Sequence, residues 1–423
     1  MSGAKAGVKR RKQTFTSEEL TELPKNELIE RIKQLEAHNK QLKGILSKHN
    51  GSDERENLKR KRPFDFSKYP KMHVAFKLLY FGWEYQGFAA LEESCDTIEH
   101  HLFAALHKSC LVESKETCNY FRCGRTDKTV SAFDQVISLT VRAAKEGEPP
   151  LEYCKMLNSL LPNNIIVIAW KQVPDGFSAR FDCKKRTYKY LFPRGDLDLT
   201  AMEKGAAFLI GTHDYRNLCK MDVANGVIEF IRTVDNAGIK VISTNSTLNN
   251  PGYDMCEFTL TSKGFLWHQV RCIVGVLVLI GRKLENPEII QHLLDIEKCP
   301  SKPQYGLAIG EPLQLFRCEY EIDGDWEIDR HNLECVMQSL QQQWTLHTVK
   351  STMVSQMIAG IENMMEGQTL CRQSSALIQG NKGKVYTPLL QRPTCESLEA
   401  RIAHYVEKKR LDINLKKEDK MAA

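Results

Sequence analysis

The sequence predicts a mixed α/β (α+β) fold. Three observations carry that prediction. Between about residues 72 and 320, short β-rich runs interleave with helical runs, the pattern of a sheet backed by helices. The composition is that of a globular chain, 42% hydrophobic and 26% charged. The length of 423 residues suffices for two or three domains, at the usual roughly 100–200 residues each.

The first predicted strand is Val74–Phe81, apolar, β-rich and punctuated by Gly82. Thr97 is placed to cap a helix running through Ile98, Leu102, Ala105 and Leu106. A strand at Ser131–Val141, a helix around Tyr153–Leu160 and a strand at Ile165–Trp170 close a first unit. A second begins near Pro174. Arg186–Phe192 alternates as a strand, with Tyr188, Tyr190 and Phe192 on one face. A helix at Leu199–Leu209 follows, then strands near Val227–Val241 and Tyr253–Thr261. Phe265–Ile280 reads as a strongly apolar helix, Pro287–Ile296 as a shorter one and Leu313–Tyr320 as a last strand. From about Glu327 the chain turns helix-rich and polar, and Tyr386–Val406 again has a compact composition. There is no short-period repeat.

Charge is distributed unevenly. Residues 1–62 hold 16 Lys/Arg against 9 Asp/Glu, so the net charge of +6 sits in that arm and the rest of the chain is close to neutral. A polyanion bound by the folded body must therefore meet locally arranged cations. The arm reads as a solvated, disordered segment, with RNA contact or nuclear import as the competing roles. Leu28, Leu35 and Leu42 make a short heptad pattern in it, and Lys59–Arg62 is a basic tetrad of the nuclear-import type. The 14 cysteines contain no C-x-x-C pair, which argues against a zinc ribbon or a thioredoxin-like site and fits a reducing compartment. The N-terminus is not a secretory signal, and the longest apolar stretch is interrupted by His268 and Arg271. The expectation is a soluble intracellular protein.

Three segments bear candidate chemistry. Cys123–Ala132 includes Gly124-Arg125-Thr126-Asp127, a loop between likely strands. Taken alone it also fits a surface turn with an incidental Arg and Asp. Phe177–Phe181 and Arg186–Tyr190 alternate aromatic and cationic residues, which suits base stacking beside phosphate contacts or, equally, a half-buried strand with its cations in water. Gly264–Arg271 opens the apolar helix and places Arg271 near the edge of its core face. A cation there needs an anion, either a site carboxylate or a structural partner.

Together and in this order the segments resemble the TruA class of pseudouridine synthases. Further matches are Tyr80–Phe88, Leu157–Pro162 with Ile165, Gly211-Thr212-His213-Asp214 and Phe265–Gly275, so the similarity spans about residues 72–320. One departure is Thr129, where the family usually has Gly. The stretch Asn217–Val227, the coiled basic arm and Tyr386–Tyr405 are similar to the eukaryotic branch acting on uridines 38 and 39 of the anticodon stem-loop.

The resemblance implies a pseudouridine synthase fold: two related halves forming a mixed, mainly antiparallel sheet backed by helices, with a central RNA-binding cleft. The expected organisation is a basic, partly disordered arm over 1–70, the two catalytic halves at 71–172 and 173–325, and a helical, partly disordered extension over 326–423. The implied activity is cofactor-free and metal-free isomerisation of uridine in tRNA. By the same resemblance Asp127 is the catalytic carboxylate, Arg271 its cationic partner and Tyr188 the ring against the uracil. Arg125 helps hold the nucleotide out of the stack, Leu307 packs near the base and Arg180 contacts the RNA backbone. Attack at C1′ and proton removal from C2′ both remain open to Asp127. A homodimer, with no membrane association and a location in nucleus and cytoplasm, completes the expectation. The alternatives are a synthase for another tRNA site or a small nuclear RNA, and a non-catalytic RNA-binding protein that kept the fold.

Overall fold

The computed structural model describes residues 64–90, 96–244, 250–365, 372–379 and 385–407, with Glu36, Leu248 and Leu370 besides. Contacts between Cα atoms divide the chain into Met1–Asp65 and Phe66–Ala423. The heptad and the basic tetrad of the arm lie outside the described residues.

In the second unit the strands are β1 (Lys71–Tyr80), β2 (Phe121–Arg122), β3 (Ser131–Arg142), β4 (Ile165–Gln172), β5 (Cys183–Pro193), β6 (Gly211–Asp214), β7 (Ile231–Ser243), β8 (Met255–Ser262) and β9 (Leu313–Tyr320). The helices are α1 (Ile98–Lys108), α2 (Tyr153–Asn158), α3 (Leu199–Ala207), α4 (Gln269–Gly281), α5 (Ile289–Leu294), α6 (Arg330–Met364) and α7 (Leu398–Glu407). Thr97 caps α1 as expected, accepting the backbone N–H of His100. Asp198 does the same for α3, accepting from Ala201.

All nine strands form one sheet in the order β4-β1-β3-β9-β5-β8-β7-β6, with β2 on β3. The sequence-order halves meet at a single seam, where β3 and β9 run parallel over only Ser131↔Gln314 and Ala132↔Leu315. The other pairings among the described residues are antiparallel. So short a parallel contact leaves the chain just before β3 and just before β9 free to diverge, and the Asp127 loop and the Leu307 loop occupy those two positions.

The core is continuous across the seam. Tyr188, Tyr190 and Phe192 of β5 are buried on one face, as their alternation predicts. In α4 every residue except Leu279 is buried, which is why its sequence is apolar on nearly all sides. Burying the side chains of this helix contributes about 2 kcal/mol for each large aliphatic residue.

Several boundaries differ from the sequence reading. The helix expected from Phe265 begins at Gln269, because His268 takes a left-handed backbone with φ of 59°. The strand expected from Val227 begins at Ile231, after a short turn of helix at Val223–Asn225. The helix-rich region after Glu327 is largely one 35-residue helix, α6. Residues 372–379 and 385–407 lie against the second unit, with Leu377, Leu389 and Leu398 buried there. Among the described residues no helix is long and apolar enough to cross a membrane.

Candidate active site

The loop 123–130 is bolted to the sheet by buried polar groups. Gln135 of β3, fully buried, donates through Nε2 to the Gly124 carbonyl at 2.8 Å and accepts from the Gly124 N–H through Oε1 at 3.3 Å. Tyr80 Oη and Thr126 Oγ1 share a hydrogen bond of 2.8 Å. The Thr126 carbonyl accepts from Phe88 N at 3.1 Å, and the Asp127 carbonyl accepts from Val130 N at 3.2 Å. Two glycines let neighbouring backbone close in. A Cβ on Gly82 would lie 2.0 Å from the Val130 carbonyl oxygen, and one on Gly310 would lie 2.8 Å from that of Lys128. A loop held at this many points presents its side chain with little freedom, as a reacting group requires.

Asp127 points to the N-terminal end of α4. Its Oδ2 lies 3.6 Å from Arg271 Nη1 and 3.4 Å from His268 Nε2. Arg271 is almost fully buried, whereas about a quarter of the Asp127 side chain remains open, 7% and 23% by accessible surface. The guanidinium is fixed from behind: Nε donates to the Ala308 carbonyl at 2.8 Å and Nη2 to Gln379 Oε1 at 3.4 Å. The Leu307 carbonyl accepts the Gln379 N–H at 2.8 Å, so the C-terminal segment ties the Leu307 loop and the arginine together.

Burial pushes the Asp127 carboxyl above the ordinary aspartate value. The Arg271 charge, a contact from Trp267 and the Lys220 charge pull the other way without overcoming it. At 3.6 Å the Arg271 charge offsets only part of that desolvation. Burial also pushes His268 down to about 4, helped by Arg271 and Lys220, so its imidazole is neutral near pH 7. The His268–Asp127 contact is therefore not an ion pair at that pH.

Tyr188 is buried, close enough to Asp127 to feel its charge. Its ring meets Phe265 edge-on at 5.2 Å and 89°. Burial pushes its phenol far above the usual range, and the charge of Asp127 adds to the shift. The hydroxyl is thus neutral, and it makes no hydrogen bond with another described residue. It is built to stack, donate and accept rather than to carry a negative charge.

Arg125 and Arg180 are exposed. Arg180 sits over the Phe181 ring at 5.2 Å, and partial desolvation, joined by the charges of Arg125, Arg122 and Arg186, lowers its proton affinity. Arg122 is engaged by Glu99, and Arg186 by the carbonyls of Lys263, Cys123 and Arg180. The side chains of Arg125 and Arg180 make no hydrogen bond or ion pair with a described residue. Two unneutralised cations beside the Asp127 loop fit an anionic backbone.

Of the residues expected from sequence, Asp127 and Arg271 meet directly, buried Tyr188 is close enough to Asp127 to feel its charge, Arg125 and Arg180 are exposed neighbours, and half-buried Leu307 lies in the loop that carries Ala308. Sequence comparison decides the kinship of the chain. A family model described as tRNA pseudouridine synthase matches residues 206–321. The chain is 43% identical over 427 residues to the tRNA pseudouridine(38/39) synthase of Bos taurus, an alignment covering 91% of this chain and 88% of the relative. The chain belongs to the tRNA pseudouridine synthases. The human protein of the same name is 42% identical over 430 residues, with 91% and 88% covered. That of Saccharomyces cerevisiae is 36% identical over 327 residues, with 72% of each covered.

Sequence reasoning missed four residues of this family member's site. His268 and Trp267 enter it because the left-handed turn at His268 lifts them off the helix. Lys220 sits over the Trp267 ring at 4.1 Å, and its N–H bonds to the Trp267 carbonyl at 2.8 Å. Gln379 arrives from the C-terminal segment. The available signal was proximity to quoted motifs: Trp267 and His268 lie inside Gly264–Arg271, and Lys220 inside Asn217–Val227.

Thr129 has φ of 67°, a left-handed backbone that a β-branched residue adopts only under strain. That explains physically why glycine suits the position. Its N–H still bonds the Tyr85 carbonyl at 3.2 Å, so the loop keeps its shape. Thr129→Gly relieves strain of about 1–2 kcal/mol and gives part of it back as unfolded-state entropy. The expected net gain is about 0.5–1 kcal/mol, read as a higher urea midpoint at unchanged slope.

Proposed function

We propose that this protein isomerises uridine to pseudouridine in the anticodon stem-loop of tRNA, at positions 38 and 39, with Asp127 as its catalytic carboxylate and no cofactor. The observation that carries the reading is a partly open carboxylate on a rigid loop, close to a buried arginine and a neutral tyrosine, in a chain 42–43% identical to synthases named for those positions. The reaction breaks the N1–C1′ bond, turns the uracil and forms C5–C1′. A proton leaves C5 and one is gained at N1, so atoms and electrons balance without an oxidant.

The groups divide that work. Ionised Asp127 acts at the ribose, by attack at C1′ or by taking the C2′ proton. Arg271 steadies its charge and orientation. Tyr188 supports the uracil with its ring, and its free hydroxyl lies where the C5 proton departs. The target nucleotide leaves its stack at a cost of about a few kcal/mol, which Arg125 and Arg180 help offset through phosphate contacts. Leu307 contributes an apolar wall. Recognition of the stem-loop then rests on shape and backbone more than on base edges.

The reading extends to a homodimer and to nucleus and cytoplasm. The pairing is supported by α6, whose exposed Leu346, Val349, Met353, Met357, Ile361 and Met364 recur at spacings of three and four. Import is supported by the Lys59–Arg62 tetrad. Site-resolved pseudouridine mapping of unmodified tRNA treated with the purified protein tests the specificity. Conversion at 38 and 39 is expected, and conversion confined to other positions would assign a different substrate.

A further inference from the structure

Away from the reaction groups, three cysteines converge. Cys123 begins the Asp127 loop, Cys183 opens β5 and Cys318 lies in β9. All three are buried, at 3%, 1% and 4% exposure. Their sulfur atoms lie within 4.8 Å of one another, and Cys123 Sγ approaches Cys318 Sγ to 3.3 Å. A register shift between Cys183 and Lys185 sets Cys183 opposite Tyr320, two residues along β9 from Cys318. The Cys123 N–H bonds Val136 at 2.8 Å, and the Cys318 N–H bonds Asp134 Oδ2 at 3.0 Å. The mechanism uses none of these thiols.

We propose that Cys123, Cys183 and Cys318 form a binding site for a thiophilic divalent cation of the zinc type, which staples the foot of the catalytic loop to β5 and β9. Geometry and charge both point there. Sulfurs bound to one such ion at about 2.3 Å lie roughly 4 Å apart, close to the spacing present. Three thiolates, a divalent cation and the Arg186 guanidinium, whose Nη2 donates to the Cys123 carbonyl at 2.9 Å, sum to zero charge. Neutrality matters because a net charge in a buried site is costly. Binding displaces thiol protons and forms metal–sulfur bonds, and no electron moves. C-x-x-C spacing does not reveal such a site, because its three ligands come from segments far apart in the chain: a loop, β5 and β9.

The test uses the full chain, stripped by a chelator and titrated with Zn(II) or Cd(II), and does not depend on the assigned reaction. One equivalent should bind, with the ultraviolet charge-transfer band of cadmium thiolate. Cys183→Ser and Cys318→Ser should weaken binding by more than about tenfold, while Cys335→Ser, at an exposed thiol elsewhere, should not. Cys183→Ala, which keeps the pocket apolar, serves if a serine variant fails to fold. Absence of the band in wild-type protein would overturn the proposal. So would binding that survives Cys183→Ala, or a Cys123–Cys318 disulfide in place of bound metal.

Discussion

Asp127→Asn should lower turnover by about four orders of magnitude or more while leaving tRNA affinity within about twofold. The substitution keeps the shape of the side chain and removes the charge that either route at the ribose requires. Binding survives because the exposed cations Arg125 and Arg180 are untouched, and phosphate contacts supply most of the affinity. Single-turnover kinetics beside filter binding separates the two effects. On the proposed mechanism the reactive form of the wild-type enzyme is the carboxylate. Activity therefore falls as the pH drops through the Asp127 pKa, which burial places above the ordinary aspartate value of about 3.9.

Replacing Arg271 should have the second largest effect. Its three contacts, to Asp127, the Ala308 carbonyl and Gln379, need the planar fork of a guanidinium. Arg271→Met leaves Asp127 desolvated with its main opposing charge gone. The carboxyl pKa then rises further, because the largest influence lowering it is lost, and the acid limb of the pH–rate profile moves up with it. Turnover near neutrality should fall by about 100-fold. Arg271→Lys restores the charge without the fork, so it should recover the position of the acid limb more than the rate. The loss of stability should be modest, about 1–2 kcal/mol, because Asp127 is partly open to solvent. Equal loss in the Met and Lys variants with an unmoved acid limb would instead assign Arg271 to packing.

Most of the sheet was legible in the chain because half-buried strands alternate and α4 is apolar on nearly all sides. Tyr188, Tyr190 and Phe192 show the first pattern and Val270–Leu277 the second. β2 and β6 were not, since two and four residues carry too little periodicity to register. The start of α4 was misjudged because Leu266 and Trp267 extend its hydrophobic pattern, and only a left-handed residue at 268 breaks the helix. The same local event hid His268 and Trp267 as site residues. Gln379 and the three-cysteine cluster were illegible for a different reason. Their significance lies in contacts between segments far apart in the chain, which no local pattern encodes. Asp127, Arg271 and Tyr188 were named through family resemblance, and the composition of their segments taken singly had left bland readings open.

The central claim is that the Asp127 carboxylate meets the ribose of an extruded uridine. A crystal structure of the Asp127→Asn protein with an anticodon stem-loop tests it directly. The target uridine should lie out of its stack, its C1′ in contact with the residue 127 side chain and its base against Tyr188. A target uridine still stacked in the stem, or bound with its sugar remote from residue 127, would contradict the account.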